Sequence, residues 1–331
     1  MTTMTISEQR AALFTRQRRG QGKHADYRPG YTLNEVPKAG RVHRYPCTRE
    51  GRTVTLRSDG ALAEFLEVLW DSRTTGFCES VLLDVKRTSA IARHLHLRHP
   101  AYEDGSPRNL ITDLLVTREL PDGSLSEEAV DTVSRAPSDP AHLPARLTII
   151  REYWESQGVA WRLSVKDGLN SNRAMNLNWL YMVGEHVRAR GLSDHERYVQ
   201  RLIENELFDN FHWTVEDACL SATRANRLRP GESVRALRQL LAMQRIKFDI
   251  DAASVMSLSP RQLHLDRRQP RVASGTGAGK WALRISRRNA LATSCVPIRC
   301  AAKGQSEPTR QSGEETTFPP VTRLTLVDAT S

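Results

Sequence analysis

No stretch of this 331-residue chain approaches the roughly 20 consecutive apolar residues that a membrane helix needs, which excludes a helical membrane span. The N-terminal residues MTTMTISEQRAALFTRQRRG contain neither the apolar core nor the small-residue cleavage site of a secretory leader, so the expected location is cytoplasmic. Cysteine is scarce. Its five copies, Cys47, Cys78, Cys219, Cys295 and Cys300, are odd in number and scattered, with no CxxC pair. That pattern argues against a disulfide framework and a structural zinc site, and for reduced thiols. Acid is in deficit, with 38 Asp and Glu against 48 Lys and Arg, for a net charge of +10. An excess of cations on a globular protein concentrates polyanions around it, and nucleic acid is the usual one. The charge is uneven. Arg10, Arg16, Arg18, Arg19, Lys23, Arg28, Lys38, Arg41, Arg44, Arg49, Arg52 and Arg57 crowd residues 10–57 with few acids among them.

Residues 1–57 read as a basic arm: a short helix, then Gly/Pro-punctuated loops and a turn at Arg49-Glu50-Gly51. The first well-marked helix follows, with Ser58 or Asp59 to cap it and Leu62, Phe65, Leu66 and Leu69 at i, i+3, i+4 and i+7. Glu64 and Glu67 fall on its other side. The run Ile111-Thr112-Asp113-Leu114-Leu115-Val116 reads as a buried strand interrupted by one carboxylate, and 129–133 as a second strand. A helix is expected over 141–157, and strict alternation through Val159, Trp161, Leu163 and Val165 marks a half-buried strand. A helix, two strands, a helix and a strand together predict a small α/β sandwich over 58–170.

From 171 to 265 the pattern turns helical. Helices are expected around Trp179 to Val183, from Asp194 to Phe208, and over 214–227 and 233–244. Leu228-Arg229-Pro230-Gly231 separates the last two, and a strand over 245–250 follows. Two helices, a tight turn and a strand fit a helix-turn-helix or winged-helix unit. Residues 266–331 lose periodicity and read as a basic, disordered tail. Its Gly275-Thr276-Gly277-Ala278-Gly279-Lys280 is no phosphate loop, because Ser274 and Trp281 break the pattern and no strand precedes it. The spacing of His94, His96 and His99 does not place all three on one face of a helix or strand, so a surface cluster is expected rather than a metal site.

Several phrases in order resemble the TnsA family, the endonuclease subunit of heteromeric transposases. They are Arg19-Gly20-Gln21-Gly22 with Asp26-Tyr27-Arg28-Pro29, Arg41-Val42-His43-Arg44, Leu56-Arg57-Ser58-Asp59 and Ile91-Ala92 ahead of His99-Pro100. Further along come Thr112-Asp113-Leu114-Leu115-Val116, Arg151-Glu152-Tyr153-Trp154 with Gly158 and Trp161, Asn178-Trp179-Leu180-Tyr181 and Ile246-Lys247-Phe248-Asp249-Ile250. The resemblance spans roughly residues 16–255. It implies an α/β restriction-endonuclease-like N-terminal domain followed by a mostly helical, winged-helix-like C-terminal domain. It also implies Mg²⁺-dependent cutting of the 5′ strands at transposon ends, beside a TnsB-like transposase and a TnsC-like ATPase, with Arg16, Arg18, Arg19, Lys23, Arg41 and Arg44 as DNA-binding cations.

Metal-dependent phosphodiester hydrolysis uses carboxylates to hold the ion and benefits from a cation near the developing charge. The resemblance places the strand aspartate at Asp113. Ala61 stands where a helix acid is expected, leaving Glu64, one turn on, as either a relocated ligand or a solvated glutamate. On the next strand the acid–x–Lys pair becomes Asp131 and Val133, and a register moved by two offers Arg135 as the cation while losing the acid. Phe77-Cys78-Glu79-Ser80 keeps only the glutamate of the family's phrase after the first helix. The metal candidates are therefore Asp113, Asp131 and Glu64, with Arg135 as a further catalytic candidate. Three outcomes remain open: an active endonuclease, an inactive architectural or regulatory subunit, and the product of a degenerating gene.

Overall fold

The computed structural model describes residues 4–32, 35, 41–139 and 142–265. The basic tail, its glycine-rich hexapeptide, Cys295 and Cys300 lie outside the described residues.

Helix α1 (Ile6–Arg16) opens on a capping box in which Thr5 and Glu8 satisfy each other's backbone N–H. The turn at Arg49-Glu50-Gly51 closes an antiparallel hairpin of β1 (His43–Cys47) and β2 (Arg52–Leu56). Ser58 then caps α2 (Asp59–Trp70) by accepting the Ala61 N–H at 3.0 Å. The apolar stripe foreseen there is buried, and so is Glu64, which is only 2% exposed. Strand β3 (Thr74–Leu82) and helix α3 (Val85–His94) follow, then β4 (Ile111–Glu119), β5 (Leu125–Val133), α4 (Ala145–Glu155) and β6 (Ala160–Val165). Helix α4 begins later than expected because Pro144 occupies its N-cap.

The four strands form one mixed sheet in the order β3-β4-β5-β6, antiparallel except for the β5–β6 pair that α4 connects. Period-two alternation sends Leu114, Val116 and Val130 towards α2, and Leu115, Ala129 and Trp161 towards α3 and α4. The α/β expectation is met by this mixed sheet and its flanking helices. The exposed edge of β3 is covered by the basic arm, whose Gly30 N–H donates to Ser80 O at 2.8 Å. A Cβ on Gly30 would stand 2.7 Å from that oxygen, so the contact requires glycine.

The helical part consists of α5 (Asn172–Arg190), α6 (Asp194–Asp209), α7 (Val215–Ala225) and α8 (Glu232–Ala242). The strand expected over 245–250 is shorter: β7 (Ile246–Lys247) pairs only with β8 (His264–Leu265). One apolar core runs from Val54 and α2 through Leu180, Ile203 and Leu237 to Leu263, crossing residue 170 without a break. Polar clamps reinforce it: Tyr181 donates to Pro46 O at 2.6 Å, and Glu185 accepts the Thr48 N–H at 2.6 Å. No helix among the described residues is long and apolar enough to cross a membrane. Cys47, Cys78 and Cys219 are buried.

Candidate active site

The β4–β5 ladder runs in register from Glu119↔Leu125 to Leu114↔Val130. One residue beyond it, side chains take over. Asp113 Oδ2 accepts the Thr132 backbone N–H at 2.9 Å and the Thr132 hydroxyl at 2.7 Å. Asp113 Oδ1 accepts from Arg57 Nη2 at 2.5 Å. On the other side of β4, the register Glu79↔Leu114 and Val81↔Thr112 sets Ser80 opposite Asp113, and Ser80 is left-handed at φ +50°. Such strain in a non-glycine residue persists only where surrounding contacts enforce it.

Asp131 lies across from Asp113 on β5, fully buried. Its Oδ2 accepts the Trp161 indole N–H at 2.9 Å, whereas its Oδ1 has no partner. Burial, and then the neighbouring charge of Asp113, raise its pKa to about 7; Trp161, Arg146 and Arg57 only partly oppose them. A buried carboxylate oxygen without a donor costs free energy unless a cation meets it. The orphaned oxygen beside a second carboxylate therefore fits a divalent ion. Mg²⁺ in particular is commonly held by one or two carboxylates together with substrate phosphate and water.

Glu64 is not the solvated glutamate that its helical position allowed. Its Oε1 accepts from Arg162 Nη2 at 2.6 Å, its Oε2 accepts from the Ser164 hydroxyl at 2.7 Å, and Lys166 Nζ stands 3.6 Å away. Burial opposes its ionisation, but the Arg162 and Ser164 hydrogen bonds and the charges of Arg162 and Lys166 hold its pKa below the usual range. Arg162 also pairs with Glu128 at 3.1 Å, and Glu128 with Arg118 at 2.8 Å. Residues 162 and 164 face α2, whereas Trp161 and Asp131 face α4. The structure thus brings Asp113 and Asp131 together and commits Glu64 to a separate network. Among the described residues, no three His, Cys, Asp or Glu side chains gather around a single ion position.

Ala61 is buried in the core. The first turn of α2 nevertheless reaches the residue that holds Asp113, since a Cβ on Gly60 would lie 3.7 Å from Thr132 Oγ1. Val133 is half-buried at the end of β5, and Arg135 is exposed, with no ion pair among the described residues. Glu79 is buried and pairs with Arg52 Nη1 at 2.6 Å. Sequence reasoning missed Arg57 and Thr132 as companions of Asp113. A cation just before the α2 cap was the available signal for Arg57.

The basic arm divides. Arg16, Arg18, Lys23 and Arg28 line a recess of about 970 Å³. Arg19 also borders it but is turned inward, 9% exposed, where it pairs with Glu35 and donates to Gly30 O at 3.2 Å. Arg41 is exposed and pairs with Asp59 at 2.6 Å, while Arg44 is exposed, with no ion pair among the described residues. His94 and His96 are exposed, and His99 bonds Thr88 Oγ1 and Pro100 O, so the three histidines form no metal cluster.

Comparison with known proteins gives two matches. The family described as TnsA endonuclease C terminal matches residues 169–250, which span α5 to α8 and β7. The chain is also similar to the Transposon Tn7 transposition protein TnsA of Escherichia coli. The two are 28% identical over 246 residues, covering 74% of this chain and 88% of that one.

Proposed function

Because the chain belongs to the TnsA family, we propose that it is the endonuclease subunit of a Tn7-like transposition system, cutting the 5′ strands at the element's ends. The observation that carries this reading is the Asp113–Asp131 pair at the opening of the β4–β5 ladder, with one carboxylate oxygen left unsatisfied in a buried site. Restriction-endonuclease-like architecture fits the α2 helix laid over a mixed sheet with its aspartates at the point where two strands separate. A winged-helix-like role for the C-terminal part fits the α7–turn–α8 pair followed by the short β7–β8 ribbon.

When bound, Mg²⁺ would supply Lewis-acid charge to the scissile phosphate and lower the pKa of the attacking water. Asp113 and Asp131 would hold it. Thr132 fixes the rotamer of Asp113 through two hydrogen bonds, and Trp161 fixes that of Asp131 while leaving Oδ1 free. Arg16, Arg18 and Lys23 at the recess, with exposed Arg41 and Arg44, offer phosphate contacts that give sequence-independent, salt-sensitive affinity for transposon-end DNA. A TnsB-like transposase would cut and join the 3′ strands, and a TnsC-like ATPase would engage the helical C-terminal part.

An architectural subunit without cleavage activity is the second reading. It is favoured by Ala61 and Val133 and by the commitment of Glu64 to Arg162 and Ser164. Nicking of a labelled end duplex, with Mg²⁺ and the cognate transposase present, separates the two. Wild-type cleavage at the 5′ side, lost at least ~100-fold in Asp113→Ala and Asp131→Ala, supports the endonuclease. Intact 3′ cutting and DNA binding without any 5′ cut would make the chain architectural.

A further inference from the structure

Among the described residues, Arg57 is the cation that hydrogen-bonds Asp113. It leaves the end of β2 directly before the Ser58 cap of α2, with a side chain only 21% exposed. Its Nη2 donates to Asp113 Oδ1 at 2.5 Å, and its Nε is buried with no acceptor. A guanidinium carries five N–H donors in a planar fork, a shape that matches phosphate oxygens in pairs. Burying an unused donor is costly, and a phosphate oxygen would relieve that cost. Val133, two residues beyond Asp131 and on the same face of β5, brings no charge to the site, and Arg135 turns to solvent.

We propose that Arg57 binds the scissile phosphate and neutralises its developing charge, doing from the β2–α2 junction what no residue of β5 does. This assignment rests on the reading of Asp113 and Asp131 as a hydrolytic pair. In the reaction, the oxygen of water bonds to phosphorus as one P–O ester bond breaks. One proton of that water ends on the leaving sugar oxygen and the other passes to solvent. Arg57 stays protonated throughout and transfers none. It donates to Asp113 and to the non-bridging oxygens, so the guanidinium that balances Asp113 in the free protein also orients the phosphate against the pair. A single preorganised donor at developing charge typically contributes 10²- to 10³-fold in rate.

The test compares wild type, Arg57→Ala, Val133→Lys and the double variant for 5′ nicking with the partner transposase and Mg²⁺, with thermal melts run alongside. Arg57→Ala is expected to nick at least ~100-fold more slowly. Val133→Lys, which sets a cation two residues beyond Asp131 on the same face of β5, is expected to restore at least ~10-fold of that loss in the double variant. Arg57→Gln keeps a donor for Asp113 and isolates the charge if Arg57→Ala melts too low to assay. Nicking by Arg57→Ala or Arg57→Gln within about 3-fold of wild type overturns the assignment, as does a well-folded double variant without rescue.

A metal-free arm reads the same contact without catalysis. Binding of the end duplex in EDTA across a salt series should lose about one unit of log K–log salt slope in Arg57→Ala. An unchanged slope overturns the assignment. If wild type makes no 5′ cut, the hydrolytic reading fails by itself, and the slope still decides whether Arg57 meets phosphate.

Discussion

Glu64 and Asp131 are both nearly excluded from water, at 2% and 0% exposure, and they sit on opposite faces of the same sheet. Around Glu64 each oxygen has a donor, Lys166 stands by, and the pKa is held low. Around Asp131 one oxygen has a donor, the other has none, a second carboxylate adds its charge, and the pKa rises to about 7. Burial is common to both, so burial does not mark a site. The mark is the balance of charge and hydrogen bonds that burial leaves behind. A satisfied carboxylate holds strands and helix together, whereas an unsatisfied one carries a standing cost that an arriving cation removes.

The largest expected effect breaks the satisfied side. Glu64→Ala removes the charged acceptor of Arg162 and leaves the buried Ser164 hydroxyl without one, and should cost about 3 kcal/mol by urea denaturation, although Arg162 keeps Glu128 and Lys166 keeps Glu67. A loss under about 1 kcal/mol would place Glu64 outside the structural frame.

Asp131→Asn tests the unsatisfied side and should have the opposite sign. The folded pKa of Asp131 lies above its ordinary value, so the folded state holds the proton more tightly and wild type loses stability as pH rises from about 4 to about 7. Asparagine is neutral throughout. The variant should therefore be close to wild type near pH 4 and more stable by about 2 kcal/mol at pH 8. A variant less stable than wild type at pH 8 would show that the ionised carboxylate is already satisfied.

Arg118→Ala should have the smallest effect. Its partners Glu128, at 2.8 Å, and Asp71, at 3.4 Å, are both partly exposed, so the loss should be about 1 kcal/mol, and cleavage should be unchanged. A cleavage defect would join the Glu64 network to the chemistry and erase the contrast.

Much of the frame was legible in the sequence. The i, i+3, i+4, i+7 stripe of α2, the alternation in β6 and the Leu228–Gly231 break between α7 and α8 are periodic or punctuated signals, and each appears where expected. Strand β3 was not foreseen because Gly76 to Ser80 is buried or half-buried throughout, so no alternation marks it. The strand expected after α8 shrank to two residues because only Ile246 and Lys247 find a partner strand. At the site, a carboxylate inside an apolar strand and the resemblance to the TnsA family pointed to Asp113, and the resemblance alone pointed to Asp131. Arg57 was hidden because its contact with Asp113 joins positions 56 apart in the chain. Glu64 was ambiguous for a related reason: Arg162 and Ser164, which claim it, come from a strand about 100 residues away.

The central claim is that the unsatisfied pair, and not Glu64, holds the divalent ion. Mn²⁺ binding by electron paramagnetic resonance, with end duplex bound and duplex alone subtracted, tests it most directly. Wild type and Glu64→Gln should take up the ion, and Asp113→Asn and Asp131→Asn should lose it. Loss of the ion in a folded Glu64→Gln, with retention in Asp131→Asn, would contradict the account.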